Sequence, residues 1–264
     1  MLPQLCKNCE HVFQGNFCSN CGQKTNTVRL NWHYVQDELK YTFLHLNKGF
    51  LYTAKQLFTR PGDTVREFIE GKRVQHYKPI LLLFVLAGLN GLAMHFLPVE
   101  EFIYNPGSDQ PSAKQAELGR KIFDWMSKNY ALYELLVLPF YAFCSWLAFK
   151  KFGYNYIENI IINCFATSQR LMIGLLLFPI QYFLRGTSFL MTFSFLTMIP
   201  TIGFTIWLFI QLYKNQNAGS VVARMILFAI NLFIFFFLVL VIGIVVIVYL
   251  IKAGILDKSG FIPS

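Results

Sequence analysis

Residues 221–251 read VVARMILFAINLFIFFFLVLVIGIVVIVYLI, with Arg224 their only charge. A helix needs about 20 consecutive apolar residues to cross a bilayer core. This stretch exceeds that by roughly half, so it is expected to face lipid widely and to tilt. Working outward, four more apolar runs are long enough to span, at 77–97, 130–149, 160–184 and 188–212. Charged residues make up 14% of the chain, against about 25% in an average soluble domain. The expected fold is therefore an all-α membrane protein with five transmembrane helices over residues 77–264. Pro139, Pro179 and Pro200 lie inside runs. Each removes a backbone hydrogen bond and is expected to kink its helix.

The N-terminus carries a different signal. Cys6-x-x-Cys9 is followed after eight residues by Cys18-x-x-Cys21. Two such turns complete a tetrahedron of thiolates, the pattern of a structural zinc site. Iron also accepts four thiolates, and a single C-x-x-C pair can be redox-active, but two matched pairs favour a structural metal. His11, in the gap, is a weaker ligand candidate. Residues 1–28 are expected to form a zinc ribbon whose few apolar residues, Leu5, Val12, Phe13 and Phe17, make too small a core to fold without metal. The first thirty residues lack the basic start and apolar run of a secretory signal. The N-terminus is thus expected to be retained, in a compartment that keeps thiols reduced.

Between ribbon and spans, residues 29–76 read as membrane-surface helices. Val35, Leu39, Phe43, Leu46, Phe50, Ala54 and Leu57 recur at helical spacing, with Lys40, Lys48 and Lys55 on other faces. Such a stripe suits either the membrane interface or packing against the bundle. Pro61-Gly62-Asp63 marks a turn, Asp63 a cap for a short helix and Gly71 its end. Lys72, Arg73 and Lys78 then fall at the membrane edge. With the N-terminus inside, the inner segments 1–78, 150–159 and 213–224 carry about twice as many Lys and Arg as the outer ones. That satisfies the positive-inside rule and puts the C-terminus outside. Basic character here records membrane and anionic lipid; no nucleic-acid partner is expected.

Arg170, beside Gln169 and near Asn163, lies in the middle of the third run. A charge at that depth usually faces the bundle interior or a water-filled cavity. It is either a structural arginine or a contact for an anion, a lipid headgroup or a substrate. Glu134 is a candidate partner, but the run boundaries place it about 15 Å away along the membrane normal. His95, Asn90 and Asn231 are expected to make interhelical hydrogen bonds or lie at the interface, and Cys144 and Cys164 to pack as small apolar residues. No hydrolase, metalloprotease, P-loop or dinucleotide motif is present, so an enzyme is not expected.

The order Cys6-x-x-Cys9, Phe17-Cys18-x-x-Cys21-Gly22-Gln23, Arg29, Thr53, Pro61-Gly62, Arg66-x-Phe68, Gly71-Lys72-Arg73, Tyr77 and Pro79 resembles a family of uncharacterised bacterial membrane proteins. That family is grouped as a domain of unknown function with an N-terminal zinc ribbon. The resemblance covers the ribbon through the first span and implies a bacterial inner membrane. It transfers no activity. Glu10 stands where such ribbons often have Gly. Phe152-Gly-Tyr-Asn-Tyr-Ile-Glu158 looks like the pre-helix segment of Yip-type five-span proteins, a looser similarity of topology. Two functions fit these residues. One is an adaptor whose residues 1–76 dock a protein partner or a lipid surface. The other is a transporter or lipid-handling protein with a polar path around Arg170.

Overall fold

The computed structural model describes residues 3–25, 29, 31–32, 49–97, 113–187 and 189–252. The stripe positions Val35, Leu39, Phe43 and Leu46, most of the outer loop (98–112) and the tail after residue 252 lie outside the described residues. Two short strands, β1 (Gln4–Leu5) and β2 (Val12–Phe13), pair antiparallel. Helices α1 (Gly49–Thr59) and α2 (Pro61–Glu70) form a tight hairpin. Then come α3 (Pro79–Met94), α4 (Ala113–Lys128), α5 (Tyr130–Phe149), α6 (Tyr156–Phe183), α7 (Phe189–Leu196), α8 (Met198–Leu212) and α9 (Ala218–Lys252).

Four of these helical stretches are long and apolar enough to cross a membrane: α5, α6, α7 with α8, and α9. The fifth apolar helix, α3, has 16 residues, about 24 Å at 1.5 Å per residue, a little short of the hydrocarbon core. The run expected at 188–212 divides at Thr197. The cause is Pro200, whose ring conflicts with the carbonyl four residues back, that of Leu196, the last residue of α7. Pro139 and Pro179 stay inside unbroken helices. The third run begins at Tyr156 rather than Ile160, because Asn155 and Glu158 form a reciprocal capping box.

Helix α6 is the hub. It packs on α3, α5, α8 and both hairpin helices. Helix α9 leans mainly on α5, and none of its most apolar eighteen residues is buried. Lipid is the matching environment for a helix apolar all round.

The hairpin is drawn into the bundle rather than laid along its outside. Leu57, Val65 and Phe68 are buried, and Phe68 meets Phe165 of α6 edge-on at 5.3 Å. Helix α2 starts at Pro61, one turn before its sequence suggests, and Asp63 does not cap it. Arg60 occupies the N-cap without a capping side-chain bond, while Asp63 pairs with Arg66 and, at 3.0 Å, with Lys214. The capping is done by α8. Gln211 Oε1 accepts the Gly62 N–H at 2.9 Å, and Arg66 Nη1 donates to the carbonyls of Gln211 and Leu212 at 3.1 and 3.0 Å. Two helix ends thus close each other. Gly62 permits the approach: a Cβ there would sit 2.6 Å from the Gln211 carbonyl carbon.

Gly62→Ala is therefore expected to lower stability by about 1–3 kcal/mol by forcing α2 off α8. Gly88→Ala, in α3 where a Cβ meets nothing within 4 Å, is expected to be neutral or stabilising. Melting temperatures of the two variants in detergent check this; equal effects would mean that the Gly62 contact is dispensable.

Candidate functional site

The first site is built by repetition. In the first knuckle, Cys6 N–H donates to His11 O and Glu10 N–H to Cys6 O. In the second, Cys18 N–H donates to Gln23 O and Gly22 N–H to Cys18 O, with the same spacing. Each fold turns on a left-handed residue, Gly22 at φ 73° and Glu10 at φ 59°. Glu10 thus adopts the conformation glycine usually supplies, and the first knuckle keeps its geometry at some conformational cost.

The four sulfurs lie within 4.8 Å of one another, with Cys6–Cys21 and Cys9–Cys18 each 3.6 Å apart. A tetrahedral ion with metal–sulfur bonds of about 2.3 Å needs edges of about 3.8 Å, so the cluster could hold one metal ion. His11 is exposed and outside it. A backbone hydrogen bond at His11 is the main influence holding the Cys9 thiol down at about 6, while burial pushes Cys21 up to about 12. A cation would displace the retained protons. The ribbon's apolar residues do not behave as a core. Among the described residues of the ribbon, Phe13 is the apolar side chain buried with the cysteines. Leu5, Val12 and Phe17 are 63%, 58% and 61% exposed.

The ribbon is fastened to the bundle. Gln23, 4% exposed, donates through Nε2 to Gly71 O at 2.7 Å and accepts the Arg73 N–H at 3.3 Å. Arg29 forms a two-pronged pair with Glu158 at 2.7 and 2.9 Å and also donates to Gly153 O. Glu158 raises the Arg29 pKa further. Glu158 also caps α6, so one carboxylate serves a helix end and an inter-element pair.

The basic residues 72, 73 and 78 have separate surroundings. Lys72 approaches Glu67 at 3.8 Å, Arg73 lies over Phe68 and donates to its carbonyl, and Lys78 is exposed at the start of α3. Nearby, His76 is enclosed by Tyr52 and Phe68. Burial holds its pKa down at about 4, with Glu67 opposing and Arg60 reinforcing the shift.

The second site lies within the bundle. Arg170 Nη2 donates to both oxygens of Glu134 at 2.8 Å. The 15 Å separation expected between them assumes helices level at their outer ends; α5 and α6 have 20 and 28 residues and are level at their inner ends instead. Glu134 lies 15 residues before the end of α5, and Arg170 lies 14 after the start of α6. In antiparallel helices those offsets, about 22 and 21 Å, give the same height. Gln169 and Asn163 turn elsewhere. Gln169 donates to Leu57 O of the hairpin at 2.6 Å, and Asn163 to Ser145 Oγ at 2.7 Å and Asn159 O at 2.8 Å. The four polar residues thus make three separate inter-element ties: the Arg170–Glu134 pair, Gln169 to the hairpin and Asn163 to α5. Asn90 and Asn231 likewise tie helices together, to Leu171 O and Cys144 O. His95 is exposed at the end of α3.

A family model described as a protein of unknown function (DUF3667) matches residues 47–90. No curated protein and no solved structure matches the chain. The matched segment spans the hairpin, the linker that receives Gln23, and most of α3. It contains Gly62, which meets α8, and Arg66, which caps it. It also contains Phe68, which meets α6, and Thr53, whose hydroxyl accepts the Tyr77 N–H at 2.7 Å.

Arg170→Met, which leaves the 3%-exposed Glu134 unpaired, is expected to cost about 3–5 kcal/mol, Glu134→Leu less because Arg170 is partly exposed, and the double change to recover most of the loss. A double-mutant cycle of unfolding in detergent checks this, and additive losses would mean the pair is not coupled. His76 is neutral in the folded chain, whereas the unfolded chain binds a proton there below about 6.5. Stability is therefore complete above about 6.5 and falls toward pH 4, by up to on the order of 3 kcal/mol. His76→Leu should flatten that part of the stability–pH profile relative to wild type; a profile of unchanged slope would rule out this histidine as its source.

Proposed function

We propose that the protein is a non-enzymatic adaptor of the bacterial cytoplasmic membrane. Its zinc ribbon and hairpin form a cytoplasmic docking platform, carried by five spans that include α3 and leave the C-terminus outside. One observation carries this reading: a metal-sized thiolate module, latched to the bundle by Gln23 and Arg29, holds Leu5, Val12 and Phe17 out to solvent. Leu5 and Val12 are register partners across the β1–β2 ladder, so they stand side by side. Exposed apolar residues on so small a module suit contact with a partner protein. The sulfur spacing supports zinc. Topology is supported by the gathering of ribbon, hairpin, residues 150–155 and residues 213–214 at one end of the bundle. The basic Lys150, Lys151, Lys214 and Arg224 belong to that same end.

The test is a photo-crosslinkable residue at Val12 in the native membrane, in the wild-type chain and in a Leu5→Ser/Phe17→Ser variant. Metal content is measured alongside. A discrete crosslinked partner that is lost in the variant, while one zinc per chain remains, is expected. An identical crosslinking pattern in both chains, or no crosslink to any protein, would overturn the adaptor.

A further inference from the structure

A cavity of about 360 Å³ opens between α5, α6, α8 and α9. Asn163, Thr167 and Arg170, at helical spacing, form a polar stripe on one side; Thr201 and Thr205 of α8 form another opposite. Phe209, Phe228 and Leu232 supply apolar walls. Helix α9 contributes one side, and its most apolar stretch is unburied, so only one helix stands between the cavity and the surroundings there.

Among the cavity's polar groups, which include the Tyr141 and Thr167 hydroxyls, Arg170 alone is cationic. Thr201 and Thr205 donate their protons to Thr197 O and Thr201 O, at 2.9 and 2.8 Å. The Asn163 amide protons go to Ser145 and Asn159. Arg170 differs. Its Nη2 holds both Glu134 oxygens and Tyr130 bonds to the same pair, which leaves part of a guanidinium's fixed fork of five N–H groups to the cavity. Glu134 is 3% exposed and does not line the cavity, whereas Arg170 is 36% exposed and does. The cavity therefore meets the cationic, donating edge of the pair and not its anion.

The geometry points to a binding site for a single-chain amphiphile with a terminal carboxylate, a long-chain fatty acid, whose headgroup meets Arg170 and whose chain lies along Phe209, Phe228 and Leu232. The volume is near the lower end for ligand sites, which suits one chain rather than two. A singly charged head adds the least repulsion to Glu134 on the same guanidinium, which favours carboxylate over phosphate. Entry from lipid supplies such a molecule without an aqueous channel. This site is independent of the adaptor reading and can fail separately.

The experiment is thermal unfolding of the full chain in non-ionic detergent, titrated with palmitate, methyl palmitate or inorganic phosphate. Palmitate is expected to raise the melting temperature by roughly 3 °C or more, with methyl palmitate and phosphate inert. Ala229→Trp adds bulk to the cavity from α9 and leaves Glu134 and Arg170 in place, and should abolish the shift. Glu134→Gln/Arg170→Gln keeps a neutral pair and should weaken palmitate at least tenfold. An equal shift with methyl palmitate would mean no headgroup recognition, and a shift with phosphate alone would mean a free-anion site. Either result, no shift with palmitate, or a full shift in Ala229→Trp would overturn the proposal.

Discussion

Leu57 is buried in the last turn of α1, and its carbonyl is closed by Gln169 from the middle of α6. Every helix end leaves four backbone groups without intrahelical partners. In a chain with this much apolar surface there is little water at depth to satisfy them. The same constraint recurs throughout. Gln211 serves the start of α2, Arg66 the end of α8, and Asn155 with Glu158 the start of α6. Gln23 serves the linker after α2. The architecture is a set of apolar helices whose ends are stitched by polar side chains from elsewhere in the chain.

That stitching explains what was legible in the sequence. Runs of apolar residues reported α5, α6 and α9 directly, because lipid-facing and buried helices need only composition. The C-x-x-C repeat reported the thiolate cluster, because its geometry is local. The start of α6 was legible too, through Asn155 and Glu158, but hydropathy alone places it four residues late. Hydropathy also does not show that α5 and α6, of 20 and 28 residues, are level at their inner ends, and levelling them at the outer ends separates Glu134 from Arg170 on paper. The long-range caps were not legible. Nothing near Gln23 indicates Gly71, and nothing near Gln211 indicates Gly62, since each bond spans more than 45 residues. The ribbon's apolar residues misled for a related reason. A segment held by metal does not need to bury them, so composition could not separate core from surface.

Ribbon and bundle share residues at their junction. Gln23 lies two positions after Cys21, inside the second knuckle's own hydrogen-bond ring, and also fixes the backbone at Gly71 and Arg73. The side chain that links the two bodies is therefore oriented by the fold of the thiolate turn. Arg29 repeats the arrangement from the other side, reaching Glu158, which already caps α6. A structural metal would order the knuckle and, through Gln23, one of the two anchors of the ribbon.

The Glu134–Arg170 pair obeys a different logic from the caps. Caps satisfy groups the backbone cannot avoid presenting, whereas this pair is formed by two side chains that apolar residues could replace at little cost to stability. What the pair adds is register. One turn of slip between α5 and α6 moves the charges about 5 Å apart along the helix axis and leaves both unpaired in a setting that penalises each. It also places a cationic edge beside an apolar cavity, which caps facing backbone carbonyls do not. Register alone would be served equally well by a fully enclosed pair. The exposure of Arg170 on the cavity side, with Glu134 covered, is the asymmetry that register does not require.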